Sequence, residues 1–197
     1  MDSPASVGVA LLVAAGFLST AEERPLLALA WAAAFLFLAV ENDVRRLRIP
    51  NWLTFPAFLG ALAIGFASAG GTGLRQALAG AGVAFGVLLV PYALRWLGAG
   101  DVKAAMVLGA LFGRETFLLM LFWMVLVGGC LAIALVVVKG GLRDLLRRWF
   151  ESARQSVLLR RPVYFGPAPG SPAAAGLPFA VAMGLGATLY QVLGAPF

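Results

Sequence analysis

The stretch Thr116–Val138, TFLLMLFWMVLVGGCLAIALVVV, contains no charged residue and is long enough to cross a lipid bilayer as a helix. A second uncharged stretch, Leu26–Val40, lies nearer the N-terminus, and similar runs recur along the chain. Of the 197 residues, 61% are hydrophobic and 12% are charged, which is far from the composition of a soluble domain. The runs lack the alternation of an outer-membrane barrel. The sequence therefore predicts an all-α, polytopic transmembrane helical bundle of about six to seven spans.

Seven apolar segments are candidate spans: residues 5–20, 25–42, 52–69, 74–97, 101–113, 115–138 and 172–195. Glycines at four-residue spacing, Gly82/Gly86 and Gly109/Gly113, would let helices approach closely, although Gly is also simply frequent in this chain. The first apolar run has no basic residue before it, which argues against a cleaved secretory signal. We expect residues 1–24 to be an extra N-terminal transmembrane segment ahead of a membrane domain at residues 25–197.

Basic residues fall unevenly on the two sides of these spans. One side takes twelve of the 15: Arg45, Arg46, Arg48, Arg95, Lys103, Lys139, Arg143, Arg147, Arg148, Arg154, Arg160 and Arg161. The other side takes Arg24, Arg75 and Arg114. Because Lys and Arg accumulate in cytoplasmic loops, the first side is predicted to face the cytoplasm. Orientation and anionic lipid account for the net charge of +6, so no nucleic-acid partner is expected.

The segment 139–171 is the one sizeable non-membrane region that the sequence predicts, and it is a basic cytoplasmic loop. Its first part, KGGLRDLLRRWFESARQSVLLRR, mixes large apolar and basic residues, which is typical of an amphipathic helix lying on a membrane surface. Its second part, PVYFGPAPGSP, has the composition of a loop. A docking surface for a protein partner is the alternative interpretation of this segment.

The chain has no histidine and one cysteine, Cys130. It therefore lacks a Ser-His or Cys-His nucleophile, a histidine base and a histidine zinc site. No cofactor and no metal site are expected. Chemistry must depend on the acidic side chains, Lys, Tyr, Ser or the backbone.

Two aspartates, Asp43 and Asp101, lie at the predicted cytoplasmic ends of separate spans, whereas most other acidic residues fall in loops or at the termini. Ionisable groups at membrane depth are costly and are candidates for function. Two neighbouring carboxylates can share one proton, so one activates a water and the other donates a proton, as in aspartic proteases. The structural alternatives are a helix cap for Asp101 and an ion pair with Arg45 or Arg46 for Asp43.

Two glycines precede the second aspartate in the stretch LGAGDVK, at Gly98 and Gly100. Glycine adopts backbone angles that other residues avoid, and its missing side chain lets another backbone approach. We therefore predict that these glycines leave room for a substrate strand beside Asp101. An ordinary interhelical turn is the alternative.

The motif D43-V-R-R-L-R-I-P-N51, followed by G98-A-G-D101-V-K103, resembles the type IV prepilin peptidases, which are GxGD membrane aspartic proteases. A third segment, GLPFAVAMG at residues 176–184, is similar to the last helix of that family. The resemblance covers roughly residues 30–195 and implies that Asp43 and Asp101 are the catalytic pair.

The resemblance further implies an inner-membrane endopeptidase that cleaves the short basic leader of a prepilin or pseudopilin at the cytoplasmic face. Without two Cys-x-x-Cys pairs, the chain is similar to the short peptidase-only members that serve tight-adherence (Flp-type) pili, and N-methyltransferase activity is not expected. Membrane lipid and pilus-assembly proteins are the further partners.

Four more residues are candidates for shaping the site. Pro50 and Asn51 are predicted to form the turn into the third span. Lys103 is predicted to hold Asp101 or a lipid phosphate, with ordinary positive-inside charge as the alternative. Glu41 would add negative charge that attracts a basic leader.

Three other functions remain open at this point. A presenilin-like protease would carry Tyr-Asp and Pro-Ala-Leu motifs, where this chain has Asn42-Asp43 and Leu177-Pro178-Phe179. A small transporter or channel would use Asp43 and Asp101 as a proton or cation relay. A non-catalytic assembly factor would depend on the basic loop rather than on either aspartate.

Overall fold

The computed structural model describes residues 4–19, 26–138, 142–160 and 178–195. Within these ranges there is no strand, and the helices are α1 (Pro4–Ser19), α2 (Leu26–Arg46), α3 (Asn51–Ala93), α4 (Ala99–Val138), α5 (Leu142–Leu159) and α6 (Phe179–Leu193). The predicted all-α fold is confirmed. The loop predicted from residue 162 onward lies outside the described residues.

Three of the described helices, α2, α3 and α4, are long and apolar enough to cross a membrane, and α1 and α6 are shorter apolar helices. These helices mark the chain as a membrane protein. The 43 residues of α3 would extend about 65 Å if the helix were straight, twice the roughly 30 Å of the hydrocarbon core. The number of crossings, predicted as six to seven, stays a prediction.

The two longest helices, α3 and α4, are each broken at a glycine. In α3, Gly70 has φ 57° and ψ −137°, and in α4, Gly113 has φ 76° and ψ 171°. Glycine adopts these left-handed angles without the steric cost that a Cβ brings. After its break α3 folds back on itself, since Gly65 lies against Gly73 and Ala77. The breaks coincide with the ends predicted for the candidate spans 52–69 and 101–113.

Close helix approach at glycine is found at two of the four predicted positions. Gly109 in α4 lies against the backbone of Gly80 in α3, so a Cβ on either residue would overlap the other. A Cβ added to Gly82, Gly86 or Gly113 would meet nothing within 4 Å. Gly113 nevertheless takes part in this approach, since a Cβ on Gly80 would lie 3.0 Å from its carbonyl carbon. The prediction is therefore correct for Gly109 and Gly113 and wrong for Gly82 and Gly86.

The chain divides into two compact units, residues 1–128 with 178–197 and residues 129–177. In the first unit, α2 packs against α1, α3 and α6. The apolar core of this unit includes Leu29, Phe35, Leu36, Val40, Leu108, Phe117, Met120 and Met183. The first unit includes α1, and the expected domain boundary after residue 24 stays a prediction.

The second unit contains α5, which lies within the segment predicted to be an amphipathic helix. Its exposed apolar side chains are Leu146, Trp149, Phe150, Val157, Leu158 and Leu159. Between them lies Arg147, whose Nε donates to Glu151 Oε1 at 2.9 Å. A helix is confirmed here, and its position on the membrane surface stays a prediction.

Several helix ends meet at one end of the first unit, which we call the aspartate end. Lys103 Nζ, at the start of α4, donates to Asn51 Oδ1, the first residue of α3, at 2.8 Å. The backbone N–H of Ala180, at the start of α6, donates to Asp43 Oδ2 in α2 at 2.8 Å. The fold thus brings residues far apart in sequence to one end of four helices.

Candidate active site

Asp43 is a buried carboxylate, 4% exposed, in the last turns of α2. Its Oδ2 accepts the hydrogen bond from Ala180, the second residue of α6. The first N–H groups of a helix have no acceptor inside that helix, and Pro178, which precedes α6, offers no side-chain cap. Asp43 therefore accepts a hydrogen bond from one of the N–H groups that have no acceptor within α6. The helix dipole favours a negative charge at this position.

Asp101 lies in the first turn of α4 and is partly exposed. Its Oδ2 accepts a hydrogen bond from the backbone N–H of Gly98 at 3.0 Å, and its own N–H donates to the Gly98 carbonyl at 3.1 Å. The first of these bonds is one half of a capping box, in which an acidic side chain reaches back three residues to the start of its helix. The capping alternative for Asp101 is thus present in the structure, and it occupies one carboxylate oxygen.

The two glycines before Asp101 lie close to other groups of this chain. Neither is among the described residues with left-handed angles, so the ability of glycine to adopt such angles is not used here. A Cβ on Gly100 would lie 3.0 Å from the Ile49 carbonyl oxygen and 3.3 Å from the Ile49 nitrogen. The backbone that approaches Gly100 is therefore that of this chain. A Cβ on Gly98 would lie 3.2 Å from Asp101 Oδ2.

A cleft of about 830 Å³ opens at the aspartate end. Its lining combines the turn between α2 and α3 with the start of α4, namely Asn42, Arg46, Leu47, Arg48, Ile49, Pro50 and Gly98 to Asp101. Asp101 lines this cleft, and Asp43 lies close enough for its negative charge to act on that of Asp101. The structure thus combines a buried carboxylate and a cleft-lining carboxylate that interact, although they are far apart in sequence.

Glu41 and Arg45 pair with each other and do not engage the aspartates. Arg45 Nη2 lies 2.9 Å from Glu41 Oε1, and Arg45 Nε donates to Ser6 Oγ in α1 at 2.9 Å. Within the described part of the chain, Asp43 makes no ion pair, so the alternative that it pairs with Arg45 or Arg46 is wrong. Glu41 is not among the cleft residues.

Lys103, Asn51 and Pro50 tie the first turns of α3 and α4 together. Lys103 bonds to Asn51, and among the described residues it has no ion pair with Asp101. The Pro50 carbonyl accepts hydrogen bonds from the N–H groups of Leu53 and Thr54 at 3.1 and 3.2 Å. Pro50 therefore begins the turn into α3, as predicted, whereas the predicted contact of Lys103 with Asp101 is wrong.

Three residues contribute to the candidate site in ways that were not predicted from the sequence: Ala180, Arg46 and Arg48. The Ala180 backbone has no side-chain chemistry to identify it, although the GLPFAVAMG segment indicated the helix that it begins. Arg46 and Arg48 were interpreted as charges that set the membrane orientation, yet both line the cleft.

Across the described ranges, no three His, Cys, Asp or Glu side chains are grouped to hold a metal ion.

Comparison with known proteins gives one match. The model of a protein family described as the type IV leader peptidase family matches residues 30–133. This range is more than half of the chain and contains Asp43, Asp101 and every cleft residue. No curated protein and no solved structure matches the sequence.

Proposed function

Because the chain belongs to the type IV leader peptidase family, we propose that it is an aspartic endopeptidase that removes the leader of a prepilin or pseudopilin, with Asp43 and Asp101 as its catalytic pair. Family membership establishes a peptidase. The aspartic mechanism, the role of each residue and the Flp-type substrate are the proposed part.

The observation that carries the proposal is the paired arrangement of the two carboxylates. Each has its Oδ2 held by one backbone N–H, from Ala180 for Asp43 and from Gly98 for Asp101. Among the described residues, neither Oδ1 has a hydrogen-bond partner. One oxygen on each side chain is therefore fixed, and the other can bind water or substrate.

Peptide hydrolysis would use these oxygens as an acid–base pair. The ionised carboxylate takes a proton from a water, whose oxygen then attacks the scissile carbonyl carbon. The protonated carboxylate donates its proton to the carbonyl oxygen, which gives a tetrahedral gem-diol. The carboxylate that took the proton of the water then gives it to the amine nitrogen as the C–N bond breaks, and the other carboxylate takes back the proton of a gem-diol hydroxyl as the new carbonyl forms. The pair begins and ends with one proton between its members, so no other group has to store charge.

The proposed orientation places the aspartate end at the cytoplasmic face of the inner membrane, in a multi-pass topology. Twelve of the 15 basic residues are predicted to lie on that side. Arg46 and Arg48 line the cleft, so a basic leader would depend on the acidic pair rather than on the cleft rim for attraction.

Cleavage by sealed membrane vesicles tests activity and orientation together. A soluble peptide that carries the leader and first mature residues of an Flp-type prepilin is added to inverted or right-side-out vesicles containing the protein. We expect cleavage at the leader junction, measured by mass, by inverted vesicles. Right-side-out vesicles are expected to cut only after detergent opens them.

Two results would contradict separate parts of this proposal. If detergent-opened vesicles cut a longer type IV prepilin and leave Flp-type prepilins intact, the Flp assignment is wrong. If both kinds of substrate stay intact while a known leader peptidase cuts them in the same membranes, the peptidase proposal itself is wrong.

Gly100→Val should lower kcat/KM for leader cleavage roughly 10- to 100-fold, because misplacement of a reacting group by about 1 Å has effects of this size. The added side chain would push the first turn of α4 away from Ile49, and with it Asp101. Gly82→Val in α3 is the matched control, since a Cβ there meets nothing within 4 Å. Equal rates for the two variants would show that the contact with Ile49 does not position Asp101.

A further inference from the structure

A second polar cavity, of about 480 Å³, lies far from the aspartates. It is formed where α3 restarts after its break and where α4 is broken at Gly113. Phe112 of the cavity follows Asp101 by eleven residues of α4, a rise of roughly 17 Å along the helix axis. The cavity is thus at the opposite end of the first unit from the cleft, on the side predicted to face away from the cytoplasm.

The polar lining of this cavity suits a phosphate group. It consists of Thr72, Arg75, Gln76, Arg114, Glu115 and Thr116. Arg114 Nη2 lies 3.3 Å from Glu115 Oε1 at the surface, and among the described residues Arg75 has no ion pair. Two guanidinium groups and one carboxylate leave one positive charge, and guanidinium donors match phosphate oxygens in geometry.

Arginine is scarce on this side of the protein, which makes the grouping informative. The sequence assigns only Arg24, Arg75 and Arg114 to the side away from the cytoplasm, and two of these three line one cavity. The packing of α3 on α4 at Gly80 and Gly109 brings these two arginines to the same end of the helix pair. The two arginines thus point to a ligand of negative charge.

A separate apolar groove lies farther along α4 and begins at Leu118, two residues after Thr116 of the polar cavity. Its lining is Leu118, Leu121, Phe122, Val125 and Leu126, and its volume is about 400 Å³. Arg114, Leu118, Leu121 and Val125 follow each other at helical spacings of four, three and four, so they lie on one face of α4. Leu121 is 9% exposed and forms the floor, whereas Val125 is 59% exposed.

The frame that holds the polar cavity is close-packed. Gly80 of α3 and Gly109 of α4 touch through their backbones about one turn from the cavity residues Gln76 and Phe112. A contact at this distance leaves no space for relative sliding of the two helices without a clash. The contact thus fixes the two helix backbones that carry Arg75 and Arg114.

From this arrangement we propose that the polar cavity and the apolar groove together bind one anionic phospholipid, with its phosphate between Arg75 and Arg114 and an acyl chain along Leu118 to Val125. A free phosphate would use the polar cavity only, whereas a lipid would also use the neighbouring apolar groove. The site is independent of the proposed peptidase chemistry.

Titration of the purified full chain in lipid-free detergent with dioctanoyl phosphatidylglycerol tests the site, with binding followed by calorimetry. The double variant Arg75→Gln/Arg114→Gln should bind at least tenfold more weakly than the wild type. Val125→Asn, which places an amide in the groove, should weaken binding at least threefold. Arg95→Gln/Arg154→Gln removes two exposed cations that line neither the polar cavity nor the apolar groove, and this variant should stay within twofold of the wild type.

Two further titrations test whether the site binds an intact lipid or only a free phosphate. Inorganic phosphate and dioctanoylglycerol, which carry the head and the tails separately, should each bind at least tenfold more weakly than the intact lipid. The proposal is wrong if the Arg75/Arg114 double variant binds within twofold of the wild type. It is also wrong if inorganic phosphate displaces the lipid at equal concentration, or if the wild type does not bind the lipid.

Discussion

Asparagine in place of Asp43 or of Asp101 should lower the rate of leader cleavage at least about 10³-fold, because removal of one member of a catalytic unit removes the chemistry of the whole. Asparagine has the shape of aspartate and can still accept the N–H of Ala180 or Gly98, so the fold is expected to persist. It cannot take up or release a proton. The measurement is the rate of mature product formation, by mass, with purified protein in detergent.

Carboxylates elsewhere provide the control for these variants. Glu115→Gln and Glu151→Gln each remove one negative charge that does not line the cleft and should cut at the wild-type rate within about twofold. Thermal unfolding and gel filtration verify that every variant is folded. Wild-type rates for both asparagine variants would make the two aspartates structural and leave the peptidase without its proposed mechanism.

Ala180→Pro should reduce kcat for cleavage roughly 5- to 100-fold without touching a catalytic side chain, which is the effect expected when a buried charged group loses a hydrogen bond worth about 1–3 kcal/mol. Proline has no N–H, so Asp43 Oδ2 would lose its one described donor. The first turn of a helix tolerates proline, and Ala180 is the second residue of α6. Asp43 would then remain buried but no longer be fixed in position.

The matched variant is Ala180→Val, which adds a side chain of similar bulk at the same buried position and keeps the N–H. If crowding alone mattered, valine and proline would slow cleavage equally. The proposed role of the N–H requires that proline lowers kcat at least fivefold more than valine, and that the pH profile of kcat shifts for proline only. Equal rates and equal pH profiles for the two variants would show that the N–H of Ala180 does not position Asp43 for cleavage.

The sequence was sufficient for those parts of the fold that depend on local composition. Uncharged runs predicted helices, and short polar or glycine-containing interruptions predicted the breaks at Gly70 and Gly113, because membrane helices are limited by bilayer thickness. Glycine spacing alone was a poor predictor of packing, since Gly109 meets Gly80 while Gly82 and Gly86 meet nothing within 4 Å. Which face of a helix meets a neighbour depends on the tertiary arrangement.

The acidic residues of the candidate site could be picked out from the sequence, but the groups that contact them could not. Two carboxylates at span ends are visible in the sequence because such groups are rare in apolar segments. The donor to Asp43 is a backbone group 137 positions away, and no residue type marks it. Lys103 was expected to hold Asp101, but its long side chain reaches Asn51 instead. Such contacts depend on helix packing, which local patterns do not specify.

The central claim is that Asp43 and Asp101 act as one acid–base unit, and the most direct test compares the residual cleavage rates of Asp43→Asn, Asp101→Asn and the double variant in one assay with excess enzyme. We expect the double variant to be no slower than the slower single variant, because either substitution alone already abolishes proton exchange by the pair. A double variant slowed by the product of the two single effects would mean that the aspartates act independently. That result would contradict the paired mechanism.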